Sequence, residues 1–82
     1  MNYIPPKAIK NWKNDNPDGE LYEASIMDNN TVISAYGRYS HGSSCKIVSW
    51  KEFLGGEMNE LVSKTMGSKV LNEILHELQS IT

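Results

Sequence analysis

Cys45 and His41 are the residues whose types and spacing come closest to a catalytic pair. A thiol becomes a nucleophile when a neighbouring base takes its proton, and a histidine four residues away could approach it across a turn. Cysteine is also among the residue types most often buried as a small hydrophobe. We therefore predict that Cys45 is an inert thiol and that the chain is not an enzyme. A cysteine-dependent enzyme is kept as an alternative.

Metal and phosphate sites need residue patterns that this sequence lacks. A structural zinc site takes about four ligands at set spacings, whereas His41, Cys45 and His76 are too few and too scattered. Gly55-Gly56 has neither the lysine nor the spacing of a phosphate-binding loop. The sequence therefore predicts no metal site and no cofactor.

Length and charge narrow the function classes. The chain has 82 residues, a net charge of −2 and a single cysteine, which predicts one domain over residues 1–82 with one core. The acidic balance argues against a dedicated nucleic-acid binder, because phosphate neutralisation supplies most of the affinity in that class. The lone cysteine, with no basic and apolar leader and no apolar run long enough to span a bilayer, predicts a cytoplasmic protein.

The first element is predicted to be a short helix over residues 6–13. Pro5-Pro6 suits a helix start, and Ala8, Ile9 and Trp12 would then share one side of the helix. We expect Trp12 to anchor this helix in the core.

The next segment alternates with a period of two from Glu20 to Ser40 and predicts a β-hairpin with Asn29-Asn30 as a two-residue loop. If Asp28 faces Thr31, then Ile26 neighbours Ile33 on an apolar face. Residues 45–49 add a third strand, with Ile47 on that face, and complete a three-stranded antiparallel meander.

The opposite face of this sheet is mixed and carries the predicted protein-binding site. An apolar and aromatic cluster with a charged border is the composition of a protein contact surface. Its members are Met27, Val32, Tyr36, Arg38 and Val48. The alternative is that Trp12 and the N-terminal segment cover this face.

The C-terminal third predicts two helices that pack on the apolar face of the sheet. Ser49 and Glu52 fit a capping box, and the first helix spans about residues 50–66, either bent at Gly55-Gly56 or in two pieces. Gly67 stops it and Ser68 caps the second. That last helix carries the clearest apolar stripe in the chain: Leu71, Ile74, Leu75, Leu78 and Ile81.

The fold class is therefore α+β: a short N-terminal helix, a three-stranded antiparallel β-meander and two C-terminal helices on one sheet face. Met66 and Val70 extend the helical stripe, and a surplus of apolar surface there would allow a homodimer through the C-terminal helices. Core packing alone is the other explanation of the stripe.

The predicted helix–sheet–helix order is similar to that of double-stranded-RNA-binding domains. Those domains carry a cluster of lysines where this chain has Ser68-Lys69. An alternative function is thus weak nucleic-acid binding, through Lys7, Lys10, Lys13 and Lys69.

The length, acidic balance, single cysteine and lack of catalytic motifs resemble the small accessory proteins with which large enterobacterial phages control host or lysis machinery. In size and charge the chain is similar to the cytoplasmic lysis-inhibition accessory proteins of T-even phages. The resemblance implies a modulator that binds holin or antiholin partners, and it carries over no functional residue. We predict a non-enzymatic regulator or inhibitor that acts by binding another protein.

Overall fold

The chain folds as an antiparallel sheet with helices at its C-terminal end, as a computed structural model describes it for residues 4–14, 21–36 and 44–82. The sheet has the strand order β1-β2-β3-β4 within these ranges. The strands are β1 Ala8–Lys13, β2 Leu21–Met27, β3 Thr31–Tyr36 and β4 Ser44–Ser49, and the helices are α1 Trp50–Leu54, α2 Asn59–Met66 and α3 Ser68–Ile81. The α+β class is confirmed.

The N-terminal element is a strand, so the predicted helix is wrong and the sheet has four strands rather than three. β1 pairs antiparallel with β2, and Asn11 Nδ2 donates hydrogen bonds to Glu23 Oε2 at 2.9 Å and to Ser25 Oγ at 2.7 Å. A helix of two turns is too short to be stable alone, whereas pairing satisfies the backbone of both strands. Trp12 packs against the core as expected, but from a strand.

The loop between β2 and β3 has three residues, Asp28-Asn29-Asn30, instead of the predicted two. Asn30 adopts a left-handed conformation with φ of 66°, as is common at the end of such loops. Ile26 consequently lies opposite Val32, whereas we expected it opposite Ile33. The predicted register is wrong by one residue, and a slip of one residue moves a strand's side chains to the other face.

The core forms between the helices and one face of this sheet. Even-numbered residues of β2, β3 and β4 supply the sheet's part of it. The buried side chains are Ala24, Ile26, Val32, Ser34 and Val48 from the strands, with Phe53, Met58, Val62, Ile74 and Leu78 from the helical third. Packing of the C-terminal helices on one face is thus confirmed, but the residues beneath them differ from those predicted.

The capping box at the start of α1 is confirmed. Ser49 Oγ accepts a hydrogen bond from the Glu52 N–H at 2.9 Å, and the Ser49 N–H donates to Glu52 Oε1 at 2.8 Å. The helical segment is in two pieces, because Gly56 and Met58 take positive φ values of 116° and 70° between α1 and α2. Gly67, with φ of 97°, ends α2 as predicted.

Helix α3 begins at Ser68, so Gly67 rather than Ser68 stands at its cap position. Its apolar stripe points into the molecule, where Ile74 and Leu78 are fully buried. Leu71 and Leu75 pack against the same core. Most of the stripe is therefore part of the core.

Ser34→Ala should stabilise the protein by about 1 kcal/mol, because it removes a buried hydroxyl that lacks a hydrogen bond. Ser34 Oγ has no partner among the described residues, and the side chain is fully buried. Urea denaturation followed by tryptophan fluorescence measures the change. The matched control is Ser25→Ala, which loses the bond from Asn11 and should lower stability slightly. A Ser34→Ala protein less stable than the wild type would contradict this account of the core.

The capping box should make stability depend on acid pH. The backbone N–H of Ser49, and then its side chain, hold the pKa of Glu52 below its ordinary value of 4.5. A lowered carboxyl pKa in the folded state stabilises the fold above that ordinary value, and the contribution disappears as pH falls through the lowered pKa.

We therefore expect wild type to be more stable than Glu52→Gln above the ordinary carboxyl pKa, at about pH 6, and the two to converge as pH falls through the lowered pKa. Parallel urea denaturation of both proteins across this range measures the difference. A gap that stays constant down to the lowest pH would show that the carboxylate charge contributes nothing.

Candidate protein-binding surface

The open face of the sheet is the side opposite the core. Odd-numbered residues of β2, β3 and β4 form it, since successive side chains of a strand point to opposite faces. They are Glu23, Ser25, Met27, Thr31, Ile33, Ala35, Cys45, Ile47 and Ser49, and Asn11 of β1 joins them through its bonds to β2. No residue in this set is buried, and the described helices contribute their buried side chains to the other face.

An apolar row crosses the middle of the open face. Ile33 lies opposite Ile47 of β4 on one side and opposite Ser25 of β2 on the other. Directly opposed side chains on one face lie close enough to pack. Ile47 is 57% exposed, which is high for an isoleucine in a sheet. Ile33 and Met27 are half-buried, so each leaves part of its apolar surface exposed on this face.

Polar groups border the apolar row and are held in place by hydrogen bonds. Asn11 bridges Glu23 and Ser25 at the β1 side, and Thr31 Oγ1 donates to Asn29 Oδ1 at 2.5 Å beside the hairpin loop. Fixed polar side chains lose little conformational freedom when a partner binds. The open face thus has an apolar centre and an ordered polar rim.

The structure does not bring the predicted site residues together. Val32 is fully buried and Val48 is 6% exposed, both in the core, because the observed register places them on the same face as Ile26. Met27 lies on the open face and is half-buried. Tyr36 is the last residue of β3, but its side chain lies outside the described part of the chain, as does all of Arg38.

Sequence reasoning missed Ile33 and Ile47, which it assigned to the face beneath the helices. The signal that could have found them is the loop. Asn30 tolerates the left-handed conformation better than most residues, and a three-residue loop ending there would have reversed the assignment of the faces.

The lysines of the predicted basic patch lie among carboxylates. Lys10 Nζ is 3.6 Å from Glu77 Oε2 and 5.6 Å from the centroid of the Trp12 ring. Trp12 Nε1 in turn donates to Glu73 Oε1 at 3.2 Å. Two acidic side chains of α3 therefore reduce the positive potential beside β1.

Cys45 is exposed on β4, so its thiol is not packed in the core. His41 lies outside the described residues. Within the ranges that the structure describes, no three His, Cys, Asp or Glu side chains group as metal ligands. In the same ranges no helix has the length and apolarity needed to cross a membrane.

No family model, curated protein or solved structure matches this chain. The function proposed below accordingly rests on the geometry of the open face and on the sequence.

Single cysteines at positions 47 and 48 test the assignment of faces. In a Cys45→Ser background, we expect Ile47→Cys to react with a maleimide in native buffer as an exposed thiol. Val48→Cys should react at least about tenfold more slowly until denaturant is added, because its labelling requires opening of the core. Labelling rates followed by mass spectrometry measure both. Similar native rates at the two positions would contradict the assignment.

Proposed function

We propose that this protein is a non-enzymatic regulator that binds another protein through the open face of its sheet. The observation that carries the proposal is the apolar row of Ile33 and Ile47 on the face that the helices leave uncovered. A sheet face that serves structure alone is commonly polar on its solvent side. Exposed isoleucine beside another apolar side chain costs hydration free energy unless something covers it.

The composition of the open face suits a protein partner. Protein interfaces combine an apolar centre with a polar rim, and the isoleucines with Met27 supply the centre. Methionine adapts its shape to a partner, whereas β-branched isoleucine is stiff and loses little side-chain freedom on binding. Asn11 and Ser25 supply hydrogen-bonding groups at the border.

The resemblance to phage accessory proteins suggests which partner to test first. A holin or antiholin, as the resemblance implies, would then be regulated by contact with this face. Nucleic-acid binding has weaker support, because Lys10 is already paired with Glu77. A cysteine-dependent activity has weaker support as well, since it rests on the exposure of Cys45 and on its sequence spacing from His41 alone.

Ile33→Ser tests the open face. The substitution leaves both edge strands of the sheet unchanged, because β3 lies between β2 and β4. Tagged wild type and variant are used as baits in host lysate, and captured proteins are quantified by mass spectrometry. Affinities for the purified partner are then compared. We expect Ile33→Ser to weaken binding at least about tenfold, as the loss of a central apolar contact does.

The matched control is Lys69→Ser on the exposed start of α3, which should bind like wild type. Unfolding midpoints establish that both variants fold. Equal binding by Ile33→Ser and wild type would remove the open face as the site. A loss of binding in Lys69→Ser, with steep salt dependence, would favour the nucleic-acid alternative.

A further inference from the structure

We propose that β4 pairs antiparallel with β4 of a second copy, so that two sheets join into one continuous sheet. This inference concerns the edge of the sheet rather than its open face, and it does not depend on the partner proposed above. It rests on how the two edges differ, on the direction of the free backbone groups of β4, and on the pairing that its sequence allows.

The two edges of the sheet are protected very differently. β1, at one edge, has a register irregularity between Ala8 and Lys10 and carries Lys10 and Lys13, with Lys7 directly before its first residue. Bulges and lysines are the usual devices that stop an edge strand from pairing. β4, at the other edge, matches β3 over six consecutive residue pairs without a shift, contains no proline and carries one charge. Among the residues that the structure describes, β4 is thus the edge open to another strand.

The alternation of hydrogen bonds shows which backbone groups of β4 face outward. The Trp50 N–H donates to the Asn30 carbonyl at 2.8 Å. In an antiparallel ladder every second opposed pair exchanges hydrogen bonds, so Val48 and Lys46 are likewise bonded to β3. Between them, Cys45 and Ile47 turn their N–H and C=O groups away from β3, whereas the Ser49 carbonyl serves as the first acceptor of α1. The side chains of Cys45 and Ile47 are exposed, so a strand can reach this edge.

The sequence of β4 favours one self-pairing. Centred on Lys46, an antiparallel pair would set two ammonium groups directly opposite each other, which is destabilising. Centred on Ile47, it places Lys46 opposite Val48 of the second copy and lets the two Ile47 residues exchange backbone hydrogen bonds.

The Ser49 N–H takes no part in this pairing, because it already donates to Glu52 Oε1 at 2.8 Å. The capping box therefore closes one end of the free edge and limits the contact to the stretch around Ile47. On the open face, the Ile33–Ile47 row would continue directly into the same row of the second copy, which covers part of the exposed Ile47. A contact of one short strand is small, so the dimer should be weak and concentration-dependent.

Sedimentation velocity of the full chain under reducing conditions tests the proposal. We expect the mass to rise from that of one 9.2 kDa chain towards twice that value as concentration increases from about 5 µM to about 500 µM, the range in which small interfaces associate. A chain that sediments as a single copy throughout this range would overturn the proposal.

Ile47→Pro and Ile47→Val are the matched variants. Proline removes an N–H that points away from β3, so the native ladder keeps its bonds, whereas valine keeps both the amide and an apolar β-branched side chain. We expect Ile47→Pro to be a single chain at every concentration and Ile47→Val to associate like wild type. If a folded Ile47→Pro variant still dimerises, the contact is not made by the β4 edge, and the C-terminal helices become the dimer interface to test.

Amide hydrogen exchange of the wild type gives a readout that needs no variant. The Ile47 N–H should exchange at least about tenfold more slowly at the highest concentration than at the lowest, because it is bonded only in the pair. Exchange that does not change with concentration would contradict the pairing. If no dimer forms while Ile33→Ser still weakens partner binding, the pairing of β4 is overturned and the open face remains the binding site of a single chain.

Discussion

The left-handed Asn30 decides which face of the sheet is inside. It allows a three-residue loop, and this loop sets Ile26 opposite Val32. Because side chains alternate along each strand, that one pairing fixes the facing of all residues from Glu23 to Met27 and from Thr31 to Ala35. β4 follows, since its Val48 pairs with Val32 and shares its side. The helices then have one apolar surface to cover, and Ile33 and Ile47 are left on the other.

The local structure at the end of β4 directs the chain onto that surface. Ser49 and Glu52 begin α1 immediately after the last strand residue, and the Trp50 N–H still bonds to the hairpin loop at Asn30. This tight junction brings Phe53 over the sheet, where it is fully buried. α2 and α3 add Val62, Ile74 and Leu78 to the same cluster. These helices cover one sheet face, whereas the other face has no buried side chain among the described residues.

The parts of the fold that could be predicted from sequence are those with a long or purely local signal. The stripe of α3 extends over several turns, and the capping box needs only Ser49 and Glu52, so neither depends on distant contacts. The N-terminal strand could not be predicted, because Ala8, Ile9 and Trp12 fit a short helix equally well and only pairing with β2 decides between them. Here the tertiary contact overrides the local preference.

The candidate site was misplaced for a related reason. The strands contain adjacent apolar pairs, Ile26-Met27, Val32-Ile33 and Ile47-Val48, so alternation alone does not tell which member faces inward. The choice depends on a difference of one residue in loop length. The observed register also buries Ser34, whose hydroxyl has no hydrogen-bond partner among the described residues, and the hydrophobic pattern argues against such a residue in the core. Met27 was identified from sequence, but Ile33 and Ile47 require the register.

The most direct test of this account is a set of nuclear Overhauser measurements from the Phe53 ring to methyl groups of the sheet. The account predicts cross-peaks to Ile26 or Val32, which share its core cluster, and none to Ile33 or Ile47. Cross-peaks between Phe53 and Ile33 would show that the faces are reversed, and the open face described above would then be the core.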